Sequence, residues 1–228
     1  MHLHGSSRAS WMLFSIMNRK DQRFLDSVDG DWVTVCRNEW ELLTCILLDA
    51  RTPLERLRAT AQRLREWDLL DYRKMQKEWQ VYDGAKAVES RLRQTKYPWA
   101  KQKSVLFNQD IEAICPNGLR NASFEELDAI KGIGPKLASL MMRILHPERM
   151  NDYVVIDTHV RRWLRDECKI DDKHSSYEEL SRILREEARL RGITVTELDE
   201  LLVENGIAKR RKQYESIKPV PLRKVEVK

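Results

Sequence analysis

The chain has 228 residues, 42% hydrophobic and 34% charged, enough for one large domain or two small lobes with a real core. Lys and Arg number 41 against 36 Asp and Glu, a net charge of +5 with an isoelectric point near 9.0, which favours an anionic partner such as a nucleic acid. No apolar run approaches the roughly 18 residues needed to span a bilayer, so no membrane association is expected.

The opening Met1-His2-Leu3-His4-Gly5-Ser6-Ser7 lacks the basic-then-apolar order of a signal peptide. It is read as a leader outside the fold, and an intracellular location, cytoplasmic (nucleoid-associated) or nuclear, is expected. Leu42, Leu43, Ile46 and Leu47 follow the spacing of a buried helix. Thr52-Pro53-Leu54-Glu55 opens the next, with Thr52 as cap, Pro53 in the first turn and Glu55 completing a capping box. Leu54, Leu57, Ala61 and Leu64 form its apolar face. Further helices are predicted near 71–79, 84–95 and 101–115. Ser123 and Glu126 make another capping box, opening a short helix to Ile130. Pro135 starts a helix that buries Leu137, Leu140, Met141, Ile144 and Leu145. Helices near 158–167, 176–191 and 195–205 follow, and the tail after Ala208 is basic and proline-punctuated. Strand-like alternation is nearly absent, and the fold class is all-α. The cysteines, Cys36, Cys45, Cys115 and Cys168, form no Cys-x-x-Cys pair, so neither a zinc site nor an iron–sulfur loop is readable; Cys45 reads as core.

Between two of these helices stands Gly132-Ile133-Gly134-Pro135-Lys136. Helix, Gly-Ile-Gly, helix is a helix-hairpin-helix, spanning about 123–146. Glycine permits a turn too tight for a side chain and lets backbone N–H groups approach a phosphate. The second helix aims its electropositive N-terminus at the same place. Such a hairpin grips a DNA backbone without reading sequence, which makes Gly132 and Gly134 candidate DNA contacts. Two readings fit Lys136. It faces a phosphate, or it is a Schiff-base nucleophile, which must be neutral to attack C1′ of a deoxyribose. A helix N-terminus and partial burial both disfavour the cation, which suits the second reading.

Asp157 follows Lys136 by 21 positions, in Tyr153-Val154-Val155-Ile156-Asp157-Thr158-His159-Val160. The apolar residues deliver Asp157 from the core to a helix start, where its carboxylate can cap the helix and stay ionised. His159, two positions on, points off the aspartate's face and reads as a packed helix residue. Arg161 and Arg162 either touch a phosphate, Arg161 foremost, or are simply solvated.

Gly-Ile-Gly-Pro-Lys followed by apolar-Asp-Thr-His-Val resembles the helix-hairpin-helix DNA glycosylase superfamily of the endonuclease III type, over roughly Asn38 to Asp166. The resemblance implies a two-lobed all-α fold: a helical barrel at 38–149, and a second lobe joining 1–37 with 150–228. It implies that Lys136 attacks C1′ of a damaged nucleotide and that Asp157 activates the lysine or stabilises the oxocarbenium-like sugar. Base excision followed by β-elimination would make the chain a bifunctional glycosylase and AP lyase acting on double-stranded DNA with a damaged base or AP site. DNA would lie in the cleft between the lobes. The resemblance further implies a residue after the first core helix that fills the gap left by a flipped base; Arg51 is either that residue or a plain surface arginine before a capped helix, with Asp49 a candidate for the pocket entrance. In Arg91–Ser104, Tyr97 and Trp99 either stack on the flipped base or pack as loop aromatics, and Lys101 or Lys103 meets phosphate.

Endonuclease III itself carries four cysteines near its C-terminus that hold an iron–sulfur cluster. None follows Cys168 here, so no cluster is expected, no cofactor is needed, and the C-terminal helices should be held by packing alone. A monovalent cation at the hairpin and a monomeric state are family expectations. The residues around Ile130–Ser139 and Cys45–Ala50 are similar to the cluster-free archaeal-type 8-oxoguanine glycosylase/lyases, which suggests an oxidised base as substrate. The alternatives are a monofunctional glycosylase, with Lys136 only contacting phosphate, and a non-catalytic DNA-binding module.

Overall fold

A computed structural model of the chain describes residues 36–49, 52, 54–171 and 174–207. These are predominantly helical, with no strand among them, and the all-α class stands. The chain separates into two compact units, Met1–Glu148 and Arg149–Lys228. The segment 1–37 expected to join the second lobe lies, up to residue 35, outside the described residues, as does the basic tail.

The first unit is built around α1 (Glu39–Leu48). Asn38 caps it, its side chain accepting the N–H groups of Trp40 and Glu41, both at 2.9 Å. Every residue from Glu41 to Leu48 is buried, so this helix is surrounded by the others, as the Leu42–Leu47 pattern requires. Cys45 is core, as read. Buried Glu41 is neutralised by Arg65 at 2.7 Å and accepts the Arg37 N–H. Arg65 comes from α2 (Leu54–Glu66), which buries Leu57, Ala61 and Leu64 on the expected face. Its proposed Thr52 capping box involves Pro53, outside the described residues. α3 (Tyr72–Val81) starts at the Asp71 cap and α4 (Ala85–Gln94) follows.

The single helix expected near 101–115 is three pieces. α5 (Ala100–Ser104) tightens into a 3-10 turn over Val105–Asn108, Gln109 is extended, and α6 (Ile111–Ile114) begins afresh. The break has a local cause. Asp110 accepts the Ala113 N–H at 3.1 Å, and a side chain that caps a new helix competes with continuation of the old one.

α7 (Phe124–Ala129) opens with the Ser123–Glu126 capping box in both directions. α8 (Pro135–Leu145) follows the hairpin turn. Met141, Ile144 and Leu145 are buried as their spacing predicts, but Leu137 and Leu140 are only half-buried. The small Ala138 and Ser139 are buried instead, allowing the helix backbone a close approach on that side.

In the second unit, α9 (Thr158–Asp166), α10 (Tyr177–Arg191) and α11 (Val195–Ile207) enclose a core of Val154, Ile156, Val160, Trp163, Leu164, Leu180, Leu184, Ala188, Val195, Leu198 and Leu202. Fully burying each large aliphatic side chain contributes about 1.5–3 kcal/mol before conformational entropy is subtracted. Leu198 and Leu202 lock the last helix into that core.

Candidate nucleic-acid interface

The hairpin turn is set by sequence-local forces. Ile133 N–H closes on Ile130 O at 2.9 Å. Gly132 has φ +95°, a conformation that side chains resist. A Cβ there would stand 2.7 Å from Leu106 Cδ1 and 3.3 Å from Leu47 Cδ2. Gly132 is therefore required by geometry, because the turn is pressed onto α1 and the 3-10 segment.

Gly134 is different. Its backbone is extended, φ −112° and ψ −179°, which any residue adopts. A Cβ there would meet nothing within 4 Å. Neither backbone angle nor crowding requires a glycine at this position. Pro135 is the first residue of α8 and Lys136 the second. The N–H groups of Gly132, Gly134 and Lys136 take no backbone acceptor among the described residues, while Gly134 O receives Leu137 and Ala138. Three such donors lie within five residues of one another in sequence, at an electropositive helix end that also carries a half-buried lysine, a combination that suits an oxyanion such as phosphate.

Beside the hairpin, α1 ends at Asp49. Burial pushes the Lys103 ammonium down, and the nearby Asp49 carboxylate opposes that shift. Two residues singled out separately in the sequence are thus electrostatic neighbours. Tyr97 does not keep its proposed stacking role. It is 3% exposed, its hydroxyl donates to Leu48 O at 2.6 Å, and burial pushes its phenol up to about 12. A ring enclosed on both faces offers none to a base, and its packing alternative holds. Trp99 is half-buried at the start of α5; its indole Nε1 is buried without an acceptor among the described residues. Arg51 lies outside the described residues.

In the second unit, Asp157 caps α9 as read. Its Oδ1 accepts His159 N–H at 2.7 Å and Val160 N–H at 2.8 Å. It is half-buried, as are His159 and Arg161, whereas Arg162 is exposed. Arg161 N–H donates to Asp157 O at 2.9 Å as part of the first helical turn.

Sequence reasoning missed the residues that hold these groups. Tyr177 of α10 donates to Val154 O at 2.5 Å and accepts Ile156 N–H at 3.3 Å, fastening the segment that ends in Asp157. Gln109 and Tyr72 stand behind the hairpin. None belongs to a motif, and the partners of Tyr177 lie 23 and 21 positions away. Only the pairing of an unexplained polar side chain with an irregular segment could have signalled them.

The chain matches the helix-hairpin-helix motif over residues 116–140, the stretch that holds α7, the turn and the start of α8. No curated protein matches the chain, and no solved structure does. The motif supports an interaction with DNA. Among the described residues, no helix is long and apolar enough to cross a membrane.

Proposed function

We propose that the chain is a bifunctional DNA glycosylase and AP lyase that excises a damaged base, an oxidised purine such as 8-oxoguanine foremost. The observation that carries this reading is Lys136, placed at the second position of α8 beside hairpin N–H groups that take no backbone acceptor among the described residues. A hairpin that only clamps DNA needs the N–H groups. A nucleophile beside them needs, in addition, a sugar held at a fixed distance, and gripping the flanking phosphate supplies that.

In the proposed reaction, neutral Lys136 Nζ attacks C1′ and the base departs with the glycosidic electron pair, taking up a proton. The secondary ammonium loses one proton, the C1′–O4′ bond breaks with O4′ taking up a proton, and a protonated C1′ imine remains. Loss of a C2′ proton then expels the 3′-phosphate as the C3′–O bond breaks. Asp157 stabilises positive charge at C1′ or accepts the lysine's proton. The reading invokes no cofactor, and a monovalent cation at the hairpin would serve only phosphate binding. Arg51, Lys103 and Arg161 are proposed DNA contacts, with Asp49 at the pocket mouth.

The test is borohydride reduction, which locks a lysine–sugar imine into a stable covalent complex. Labelled duplexes carrying 8-oxoguanine, thymine glycol, uracil, a G·T mismatch or a plain AP site are incubated with the protein and borohydride. Trapping on the AP site, lost in Lys136→Gln while duplex affinity stays within about threefold, is the expected result. The base lesion that also traps names the substrate. Binding without any trapping would return Lys136 to a phosphate contact and leave the non-catalytic DNA-binding module, which the motif by itself supports.

A further inference from the structure

Gln109 sits between helices, in the extended link from the 3-10 turn to α6. Its backbone is held from behind by α3. The Gln76 amide donates to Gln109 O at 2.7 Å. The Tyr72 hydroxyl accepts Gln109 N–H at 3.3 Å and has two carbonyl acceptors in reach, Leu106 O at 3.0 Å and Gln109 O at 3.2 Å. Tyr72 is fully buried and stacks on Phe107, ring centroids 5.4 Å apart. Tyr72 and Gln76 are four residues apart on one helix face, so the peptide at Gln109 has a rigid anchor.

The side chain reaches the other way. Gln109 Oε1 accepts Lys131 N–H at 2.6 Å, and Gln109 Nε2 donates to Lys131 O at 3.0 Å and to Leu106 O at 2.9 Å. One amide thus satisfies both backbone groups of the residue immediately before Gly132. Lys131 is exposed, and water could satisfy the same two groups, so saturation of its hydrogen bonds does not explain the arrangement. Fixing the direction of the turn does. Gly132 rests on the apolar side of this seat through Leu106, and Lys131 is pinned to its polar side by Gln109.

We infer that Gln109 is a positioning residue for the hairpin, holding the Gly132 and Gly134 N–H groups and the start of α8 in the orientation that receives a DNA phosphate. The inference rests on the proposed DNA-directed reading of the hairpin and adds to it a residue outside the motif match at 116–140. Two neutral hydrogen bonds fixing a turn correspond to roughly a tenfold effect on the binding they prepare.

The experiment compares wild type with Gln109→Ala and Gln109→Met, the latter filling the same space without polar atoms. Three quantities are measured on the full chain: the melting temperature, the amide exchange rate of Lys131 by NMR, and Kd for a duplex with a tetrahydrofuran abasic analogue. Exchange is expected to rise about tenfold and Kd to weaken about tenfold in both variants, with melting little changed. A Kd restored to wild type by Gln109→Met, or one that weakens only in step with loss of fold, overturns the inference. So does unchanged Lys131 exchange. Should Gln109→Ala not fold, Gln109→Met decides alone. Borohydride trapping on the AP duplex runs alongside. Its failure in wild type sinks the lyase reading but leaves the Kd comparison to decide on Gln109, whereas no duplex binding by wild type overturns both.

Discussion

Gly132 and Gly134 look equivalent in the sequence, yet they answer to different demands. Gly132→Ala forces a side chain to φ +95° and against Leu106, an expected loss of about 1–3 kcal/mol visible in urea unfolding. Gly134→Ala leaves unfolding unchanged within about 0.5 kcal/mol, because its backbone is extended and its surroundings open. On the proposed reading it nevertheless weakens duplex affinity, since a methyl group would stand where the backbone meets phosphate. Equal loss of affinity and stability in Gly134→Ala would contradict that assignment. Asp157 allows a similar separation. Asn accepts the same two N–H groups, so Asp157→Asn holds its melting temperature, whereas Asp157→Ala costs about 1 kcal/mol. On the proposed mechanism both lose trapping by at least about 100-fold; a mere cap would leave Asp157→Asn fully active. Both assignments began as single letters in a motif, and only backbone angles and neighbours told them apart.

Helices here are opened by side chains read directly from the chain. Ser123 with Glu126 and Asp157 were legible because a cap and its targets lie within three residues. The break after Asn108 was not, because a helical pattern of apolar residues continued through it while Asp110 capped a new start. Thr194 and Glu197 form a further reciprocal box at the head of α11. The Thr194 N–H and hydroxyl hold the Glu197 carboxyl below the usual carboxylate range. A lowered folded value means that this contribution is present above the ordinary range and is lost as pH falls through the lowered one. Urea unfolding of the wild type should therefore weaken on acidification, and Glu197→Gln, which has no proton to take up, should show a smaller drop. The two forms falling in parallel would show that the box adds nothing pH-dependent.

The charge balance of the entire chain bears on how it would meet its ligand. A net charge of +5 and a sequence-blind hairpin point to affinity carried by phosphate contacts. With about four phosphates neutralised, affinity should fall about 100-fold between 50 and 200 mM salt, measured by fluorescence anisotropy on an undamaged duplex. A flat response would leave the basic surface without a role in binding. The two units each carry a hydrophobic core, and the lysine and aspartate of the proposed chemistry are divided between them, Lys136 in the first and Asp157 in the second.

By itself the sequence determined the all-α class, the hairpin, Lys136 at the second position of its helix, and the Asp157 cap. Each of these rests on interactions between residues a few positions apart, which periodicity and turn chemistry record. The tertiary structure alone decided that Tyr97 is core, that the two glycines differ, and that Gln109 and Tyr177 support the hairpin and the aspartate. Gln109 meets Lys131 across 22 positions and Tyr72 across 37. Contacts at that separation leave no periodic trace, because they depend on how the helices pack and not on what any one of them contains.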